Sequence, residues 1–181
     1  MDRRPDAALV VAAREGDLDA FAVLVERYRT PALRVAYGIA GNEAEDAVQD
    51  AFVKAFRKLD GFRADAAFRP WLFTIVANEA RNRRRSFARR GKLELQVRAQ
   101  PRSSVESADE TVARRDQHQR LLDVVAQLPD RYREIVALRY FGGLSESETA
   151  TVLSAPLGTV KSRLSRALDM LRARLGEEVT R

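Results

Sequence analysis

The sequence predicts an all-α protein of two small helical domains joined by a flexible linker, the second domain containing a helix-turn-helix. Apolar residues recur at three- and four-residue spacing in long segments, as one face of an α-helix requires. Strand-like alternation is nearly absent, and glycine and proline are sparse and fall at segment boundaries. We expect the helical domains over residues 6–90 and 113–178. The linker, over residues 91–112, is polar and contains Pro101 and a serine pair.

Composition narrows the functional class before any motif is considered. The 181 residues include no cysteine and one histidine, His118, which excludes disulfides and thiolate metal sites and disfavours histidine-based catalysis. We therefore expect no catalytic residue, metal or cofactor, although carboxylate chemistry stays open. No run approaches the roughly 20 apolar residues of a membrane span, and no secretory signal is present, which predicts a cytoplasmic protein without stable membrane insertion. The net charge of +6 favours a polyanionic partner.

Two helices are expected in the first half of the first domain. The first covers about residues 18–37, with apolar positions Phe21, Leu24, Val25, Tyr28 and Leu33. The second is expected to begin at Asn42, a suitable N-cap after Gly41, and to end near Leu59. Its apolar stripe comprises Val48, Phe52, Ala55, Phe56 and Leu59. Its opposite face presents Asp46, Asp50, Val53 and Arg57, with Gln49 on the shoulder.

The amino-terminal part of this second helix is acidic in an otherwise basic chain. Its first turns contain Glu43, Glu45, Asp46 and Asp50. Two interpretations are open. Negative charge is favourable at a helix N-terminus because it faces the positive end of the helix dipole. Alternatively, the local reversal of charge marks a surface for a protein partner rather than for nucleic acid.

A third helix is expected over about residues 68–89, after the loop DGFRADAAFR. Leu72, Ile75 and Val76 form its core side, and a different strip contains Trp71, Thr74, Asn78 and Arg81. An aromatic ring beside amide and guanidinium groups suits single-stranded bases and phosphates. A core tryptophan and a solvated arginine face are the alternative. The loop is the better candidate for reading a base, because a loop can enclose a base that leaves the stack.

The stretch from Leu144 to Leu175 predicts a pair of helices around a tight turn. Ser145 and Glu148 form a capping-box pattern, so the first helix should run from Ser145 to about Leu153. We expect Thr159 as the N-cap of the second helix. The apolar stripe of that helix is Val160, Leu164, Leu168, Leu171 and Leu175. The outward residues are Ser162, Ser165, Arg166 and Asp169, flanked by Lys161 and Arg163, and they suit a major groove.

Four segments of the chain resemble bacterial sigma factors of the sigma-70 class, in particular the extracytoplasmic-function (ECF) group. GDLDAFAVLVERY is similar to the start of the group's first domain, and AEDAVQDAFVKAF to its polymerase-binding helix. FRPWLFTIVANEARNRRR resembles the segment that melts and reads the −10 element. LPDRYREIVALRYFGGLSESETATVLSAPLGTVKSRLSRAL resembles the domain that reads the −35 element. Their order and separation match the family across nearly the whole chain.

The resemblance implies roles for individual residues. Contacts with core RNA polymerase are implied for Asp46, Gln49 and Asp50, with Phe52 and Phe56 supporting the helix. Contacts with −10 DNA are implied for Phe62, Arg63, Arg69, Trp71, Asn78, Arg81 and Arg84. Contacts with −35 DNA are implied for Thr159, Lys161, Ser162, Arg163, Ser165 and Arg166. The linker would lead toward the RNA exit path. Asn82 departs from the family pattern, which commonly has Asp there. Ser154 stands where the helix-turn-helix pattern often has Gly, which implies a left-handed conformation for this serine.

The implied function is promoter recognition as a subunit of RNA polymerase, with core polymerase, promoter DNA and an anti-sigma factor as partners. Two alternatives remain open. One is a free-standing helix-turn-helix regulator that binds duplex DNA as a dimer without polymerase. The other is a helical enzyme in which Asp46 and Asp50, one helical turn apart, share a metal.

Overall fold

The computed structural model describes residues 3–63, 66–93 and 121–179, with the side chains of 90–93 and 176–179 left out. Within these ranges the protein is helical, as predicted. The first domain contains α1 (Asp6–Arg14), α2 (Leu18–Ala40), α3 (Ala44–Lys58) and α4 (Phe68–Leu93), with short 3₁₀ turns at Gly41–Glu43 and Leu59–Gly61. Helix α4 extends three residues past the predicted end of the first domain. The rest of the predicted linker lies outside the described residues.

The second domain contains α5 (121–126), α6 (Asp130–Val136), α7 (Glu146–Leu153) and α8 (Leu157–Val179). Helix α6 continues directly into a π-helical turn, Ala137–Phe141. Such turns are rare and widen the backbone locally. Its end is held by the Gly142 N–H, which donates to the carbonyl of Ala137 at 2.9 Å. No described helix is both long and apolar enough to cross a membrane.

Alanines on one side of α3 let this helix pack closely in the first domain. Ala47, Ala51 and Ala55 are fully buried, so small side chains form the centre of the contact with α2 and α4. Phe56, expected in the apolar stripe, is instead 43% exposed. The prediction was wrong because the buried side of α3 is rotated toward its alanines. Nor is Asn42 an N-cap, since it lies inside a 3₁₀ turn and α3 begins two residues later.

Helix α1 was not singled out from the sequence, yet it completes the first domain. Leu9 and Val10 are buried, and Asp6 accepts hydrogen bonds from Arg27 and Tyr28 of α2. Burial, reinforced by the bond to Asp6, raises the pKa of the Tyr28 hydroxyl far above its ordinary value. This tyrosine therefore stays neutral and donates to the carboxylate.

The α7–α8 pair has the predicted capping box at the start of α7 and the predicted turn conformation at Ser154, but α8 begins earlier than predicted. The Ser145 hydroxyl accepts from the Glu148 N–H at 3.1 Å, and the Glu148 carboxylate accepts from the Ser145 N–H at 2.7 Å. Ser154 has φ 48°, the left-handed conformation that was expected there. Thr159 is not the N-cap of α8, because the helix already begins at Leu157. The N–H groups of Thr159 and Val160 donate to the Pro156 carbonyl at 2.9 and 3.1 Å.

The two domains share one apolar core. Ala137, Leu138 and Leu144 of the second domain are fully buried in the cluster formed mainly by α1–α4. A second, smaller cluster lies between α5, α6 and α8. Gly38 of α2 allows the close approach, since a Cβ built there would lie 3.1 Å from the Cβ of Ala137. Burial of these side chains holds the second domain against α2 and α4.

Candidate polymerase and promoter interfaces

The residues predicted to contact polymerase form an exposed acidic patch on α3, defined by Asp46, Gln49 and Asp50. The side chains of Asp46 and Asp50 are 62% and 47% exposed. Both are bound by Arg83 of α4, whose Nη1 lies 3.1 Å from Asp46 and whose Nη2 lies 2.5 Å from Asp50. These bonds, chiefly the one to Asp50, raise the pKa of the Arg83 guanidinium above its ordinary value. One cation thus offsets the repulsion between two carboxylates one turn apart.

The pairing of Arg83 with the acidic patch could not be identified from the sequence. It lies inside the run ARNRRRSFARR, where several arginines look equivalent. Helical spacing places Arg83 on a different side of α4 from Arg81 and Arg84, toward α3. The pairing disfavours the metal-enzyme alternative, because the guanidinium of Arg83 occupies the position between the two carboxylates. Among the described residues no group of three or more potential metal ligands occurs.

Apolar side chains border the acidic patch on the outer side of α3. Val53 is 45% exposed, and the half-buried Phe52 packs on the core of the first domain. The ring of Phe56 meets that of Phe21 edge-on at 5.0 Å between centroids. A charged patch beside exposed apolar groups suits a protein partner better than it suits DNA.

Aromatic rings anchor the loop that precedes α4. Phe62 and Trp71 lie 4.9 Å apart between ring centroids, and Phe68 lies 5.5 Å from Trp71. Phe62 and Phe68 are buried at 5% and 4% exposure, while Trp71 is half-buried. Phe62, expected to contact DNA, is thus directed into the ring cluster. Arg63, the next residue, is exposed.

A cavity of about 320 Å³ lies between this loop and α1. Its walls include Val10 and Arg14 of α1, Tyr28 of α2, and Phe62 and Arg69 around the loop. Its volume lies at the lower end of the range for small-molecule pockets. The contribution of α1 could not be read from the sequence, since it depends on how α1 folds back over the loop.

Three of the four arginines of the predicted −10 surface contact the second domain. Arg81 Nε lies 3.0 Å from Glu134 Oε1, and Arg84 Nη1 lies 2.6 Å from Asp130 Oδ1. The Arg69 guanidinium donates to the carbonyl of Gly142. Asn78, at the outer edge of the same strip, is exposed and accepts from Arg81 at 2.6 Å. We call Arg69, Trp71, Asn78, Arg81 and Arg84 the −10 face.

The predicted −35 residues lie on the outer side of α8 near its start. Lys161, Ser162, Ser165 and Arg166 are exposed and Arg163 is half-buried, and we call these five residues the recognition face. Their described contacts stay within the second domain: Lys161 lies 3.9 Å from Glu146, and Arg166 hydrogen-bonds to Tyr132. Burial favours the neutral Tyr132 hydroxyl, but Arg166 and Arg131 outweigh it and lower the pKa. Val160 and Leu164 form the buried side of α8.

These surfaces define a class of protein: a two-domain helical nucleic-acid-binding protein with a separate acidic surface suited to a protein partner. A capped helix, a tight turn and a second helix with outward basic side chains make a helix-turn-helix. The other cationic face is on α4, next to an aromatic cluster and a cavity.

Comparison with known families identifies the class more closely. Residues 24–90 match the sigma-70 region 2 family model and residues 118–171 match sigma-70 region 4. The chain is 34% identical to RNA polymerase sigma-H factor of Pseudomonas aeruginosa, with 94% of each chain covered. It is also 34% identical to ECF RNA polymerase sigma-E factor of Escherichia coli, with 92% of each covered. The chain therefore belongs to the ECF group of sigma-70-class sigma factors, which bind core RNA polymerase and direct it to promoters.

Solved structures share this fold across both domains. CnrH, in complex with the cytosolic domain of CnrY, superposes with a TM-score of 0.73 at 29% identity, over 95% of this chain and 97% of that chain. The sigma factor RpoE of Bartonella quintana, in complex with the anti-sigma factor NepR, gives a TM-score of 0.69 at 29% identity, over 88% and 97%. Such scores over nearly the full length require a similar relative placement of both domains.

Proposed function

We propose that the three surfaces divide the work of promoter recognition. The acidic patch binds a basic surface of core polymerase, and exposed Val53 and Phe56 extend that contact. The −10 face holds the opened strand, and a base displaced from the stack enters the cavity beside the loop. The recognition face reads the −35 element in the major groove. The protein performs no chemistry itself, since phosphodiester synthesis belongs to polymerase, and it acts in the cytoplasm where polymerase is.

The observation that supports this division best is the separation of charge in the first domain. In a chain of net charge +6, the exposed carboxylates of Asp46 and Asp50 lie on α3, away from the strip with Arg81 and Arg84. A regulator that bound only DNA would gain nothing from such a patch, because carboxylates repel phosphates. Separate surfaces of opposite charge fit a subunit that joins a protein to DNA.

We also propose an anti-sigma factor as a partner. CnrH and RpoE of Bartonella quintana are seen in complexes with other proteins, and both resemble this chain over two domains. Because the present chain shows a comparable arrangement by itself, a partner that binds both domains would stabilise a geometry the chain already favours.

The test is reconstitution with core RNA polymerase. The protein should co-elute with core and give run-off transcripts from a subset of genomic fragments, which also identifies the promoter. Replacing both Asp46 and Asp50 by Ala should weaken core binding at least about tenfold, since charge-assisted hydrogen bonds contribute roughly 1.5–3 kcal/mol each. Asp19→Ala/Asp60→Ala, at two exposed carboxylates outside the patch, changes the charge equally and is the matched control. Failure to bind core, with retained duplex binding, would favour the free-standing regulator.

A further inference from the structure

Two exposed arginines from different helices of the second domain meet at one tyrosine. Tyr132, on α6, is 4% exposed, and its ring packs in the cluster between α5, α6 and α8. The Cζ atom of Arg131 lies 4.8 Å from the centroid of that ring. The guanidinium groups of Arg131 and of Arg166, on α8, both donate to the Tyr132 hydroxyl. We call Arg131 and Arg166 the arginine pair.

The carboxylates closest to the arginine pair in sequence have other partners. Asp130 is paired with Arg84 and with the buried Arg133. Asp169, the closest one on α8, is paired with Arg172 at 2.9 Å. Among the described residues, no carboxylate is paired with either member of the arginine pair. Because the partner that the two guanidinium groups share is a hydroxyl, their positive charges are not neutralised there.

The charge of the arginine pair outweighs the effect of burial at Tyr132. Burial is the largest single influence on this hydroxyl and favours its neutral form. The hydrogen bonds and charges of the two arginines together nevertheless lower the pKa of Tyr132 below its ordinary value. Two like charges held close together repel each other. An anion bound between them would remove that repulsion.

A phosphodiester group has the charge and the oxygen atoms that this site can bind. A guanidinium has several N–H donors in one plane, so each arginine can donate to Tyr132 and still donate to a phosphate oxygen. The two non-bridging oxygens of a phosphodiester carry one negative charge, and each can accept from a different guanidinium. The backbone of duplex DNA presents such groups along both edges of the major groove.

The position of the arginine pair fits a groove edge. Arg166 belongs to the recognition face, and the next residue, Ala167, is fully buried in the cluster that contains Tyr132. Helix α6 therefore borders the recognition face at this end. At the other end Lys161 lies 3.9 Å from Glu146 of α7. A helix that enters the major groove meets the sugar–phosphate strands at the borders of its outer face.

We propose that Arg131 and Arg166 together bind one backbone phosphate of the −35 duplex, with Tyr132 as the positioning residue that fixes both guanidinium groups. The proposal rests on the function proposed for the recognition face and adds α6 to the DNA-binding surface. Arg166 then contributes to the affinity for duplex DNA of any sequence. Sequence discrimination is left to the rest of the recognition face.

Duplexes with one uncharged linkage test whether the two arginines share a phosphate. The −35 duplex of a promoter found by the run-off assay is made as a series, each member with a single methylphosphonate in place of one phosphate. Binding of the full chain should fall about tenfold at the position that the arginine pair contacts. Arg131→Ala and Arg166→Ala should each be insensitive to the methylphosphonate at that same position. Insensitivity at two different positions, or at none, would overturn the shared site.

Substitution of the arginine pair should weaken binding without changing sequence preference. Each single variant should lose about tenfold on the −35 duplex and equally on an unrelated duplex. The double variant should lose less than the product of the two losses, because both side chains hold one group. Arg29→Ala, at an exposed arginine of α2, is the charge control and should change binding by less than about twofold. Single losses that multiply, or that fall on the −35 duplex alone, would overturn the proposal.

Tyr132→Phe tests the positioning role, because it keeps the buried ring and removes the hydroxyl. Both cations remain, yet this variant should lose affinity several-fold and most of its sensitivity to the methylphosphonate at the shared position. A wild-type unfolding transition checks that the variant is folded. Wild-type methylphosphonate sensitivity in the folded variant would overturn the positioning role.

Failure of the site and failure of the proposed function give different results. Wild-type protein that binds the −35 duplex and an unrelated duplex equally would count against the function proposed for the recognition face. Protein that prefers the −35 duplex but shows no methylphosphonate position shared by the two arginines would overturn only the phosphate site.

Discussion

The −10 face and the recognition face are built from similar cations but differ in what surrounds them. On α8, Lys161 and Arg166 are exposed, and the partners described for them, Glu146 and Tyr132, belong to their own domain. On α4, Arg81 is 22% exposed and its partner Glu134 is 18% exposed, in the other domain. The guanidinium of Arg166 on α8 is therefore accessible, whereas that of Arg81 on α4 is paired with the second domain. Two substitutions test this difference, and two others with smaller expected effects test the capping box and the acidic patch.

Leu138→Ala should break the contact between the domains. Leu138 is fully buried in the shared core, and truncation of such a leucine costs about 2–5 kcal/mol of the free energy of unfolding. Part of that loss should appear as separation of the domains, so −10 strand binding should rise as stability falls. Denaturant unfolding measures the first effect and fluorescence anisotropy with a labelled −10 strand the second. Leu157→Ala, at a leucine 43% exposed, should change neither.

Arg166→Ala should weaken −35 duplex binding by about 1–3 kcal/mol if Arg166 contacts a base. Binding of the −10 strand should not change, because Arg166 does not touch the interdomain contact. Competition with duplexes that carry single base changes in the −35 element measures the specificity. An equal loss on unrelated duplexes would identify Arg166 as a phosphate contact instead.

Ser145→Ala should lower the stability of the second domain by about 1 kcal/mol, since it removes the N-cap of α7. The Ser145 N–H, the strongest influence, lowers the pKa of the Glu148 carboxyl below its ordinary 4.5. The folded form therefore gains stability above pH 4.5, and this gain is lost as the pH falls and Glu148 is protonated. Because Ser145→Ala keeps this N–H, the pH dependence is tested with Glu148→Ala, whose cost in thermal unfolding should be smaller at pH 3.5 than at pH 7. An equal cost of Glu148→Ala at both pH values would contradict the capping box.

Arg83→Gln should have the smallest effect on stability, about 0.2–1 kcal/mol, because the ion pairs with Asp46 and Asp50 are solvent-exposed. The affinity for core RNA polymerase should change more clearly than the stability. Loss of the guanidinium leaves the acidic patch uncompensated, so a basic partner surface should bind it more tightly at low salt. Arg89→Gln, on an exposed arginine of the same helix, is the control. Unchanged affinity for core would show that Arg83 only joins α3 to α4.

Much of each domain could be predicted from local patterns. The capping box and the buried Val160 and Leu164 depend on residues a few positions apart, and they are present in the structure. The left-handed Ser154, implied by the helix-turn-helix pattern, is present as well. Helix starts were less predictable. Thr159 looked like an N-cap because it follows Gly158. The helix begins earlier, because the carbonyl of Pro156 accepts from the N–H groups of Thr159 and Val160.

The contact between the domains could not be predicted, because it joins residues far apart in sequence. Arg81 and Glu134 are separated by 53 positions, and neither is unusual in its own helix. One signal was available in Gly38, a glycine inside a helical segment, which often marks close packing. The sequence does not show which element packs there. The Arg83 pairing was missed for the same reason, since it depends on the angle between α3 and α4.

Asp130 has a second partner, so separation of the domains would affect Asp130 and Arg84 differently. Its carboxylate also binds Arg133, a side chain of the same helix that is only 4% exposed and that donates to the Ala126 carbonyl as well. After separation Asp130 keeps Arg133, whereas Arg84 loses its anion. When the domains are separated, α4 therefore carries excess positive charge and attracts anions. Any polyanion, heparin included, should draw the equilibrium toward the separated domains.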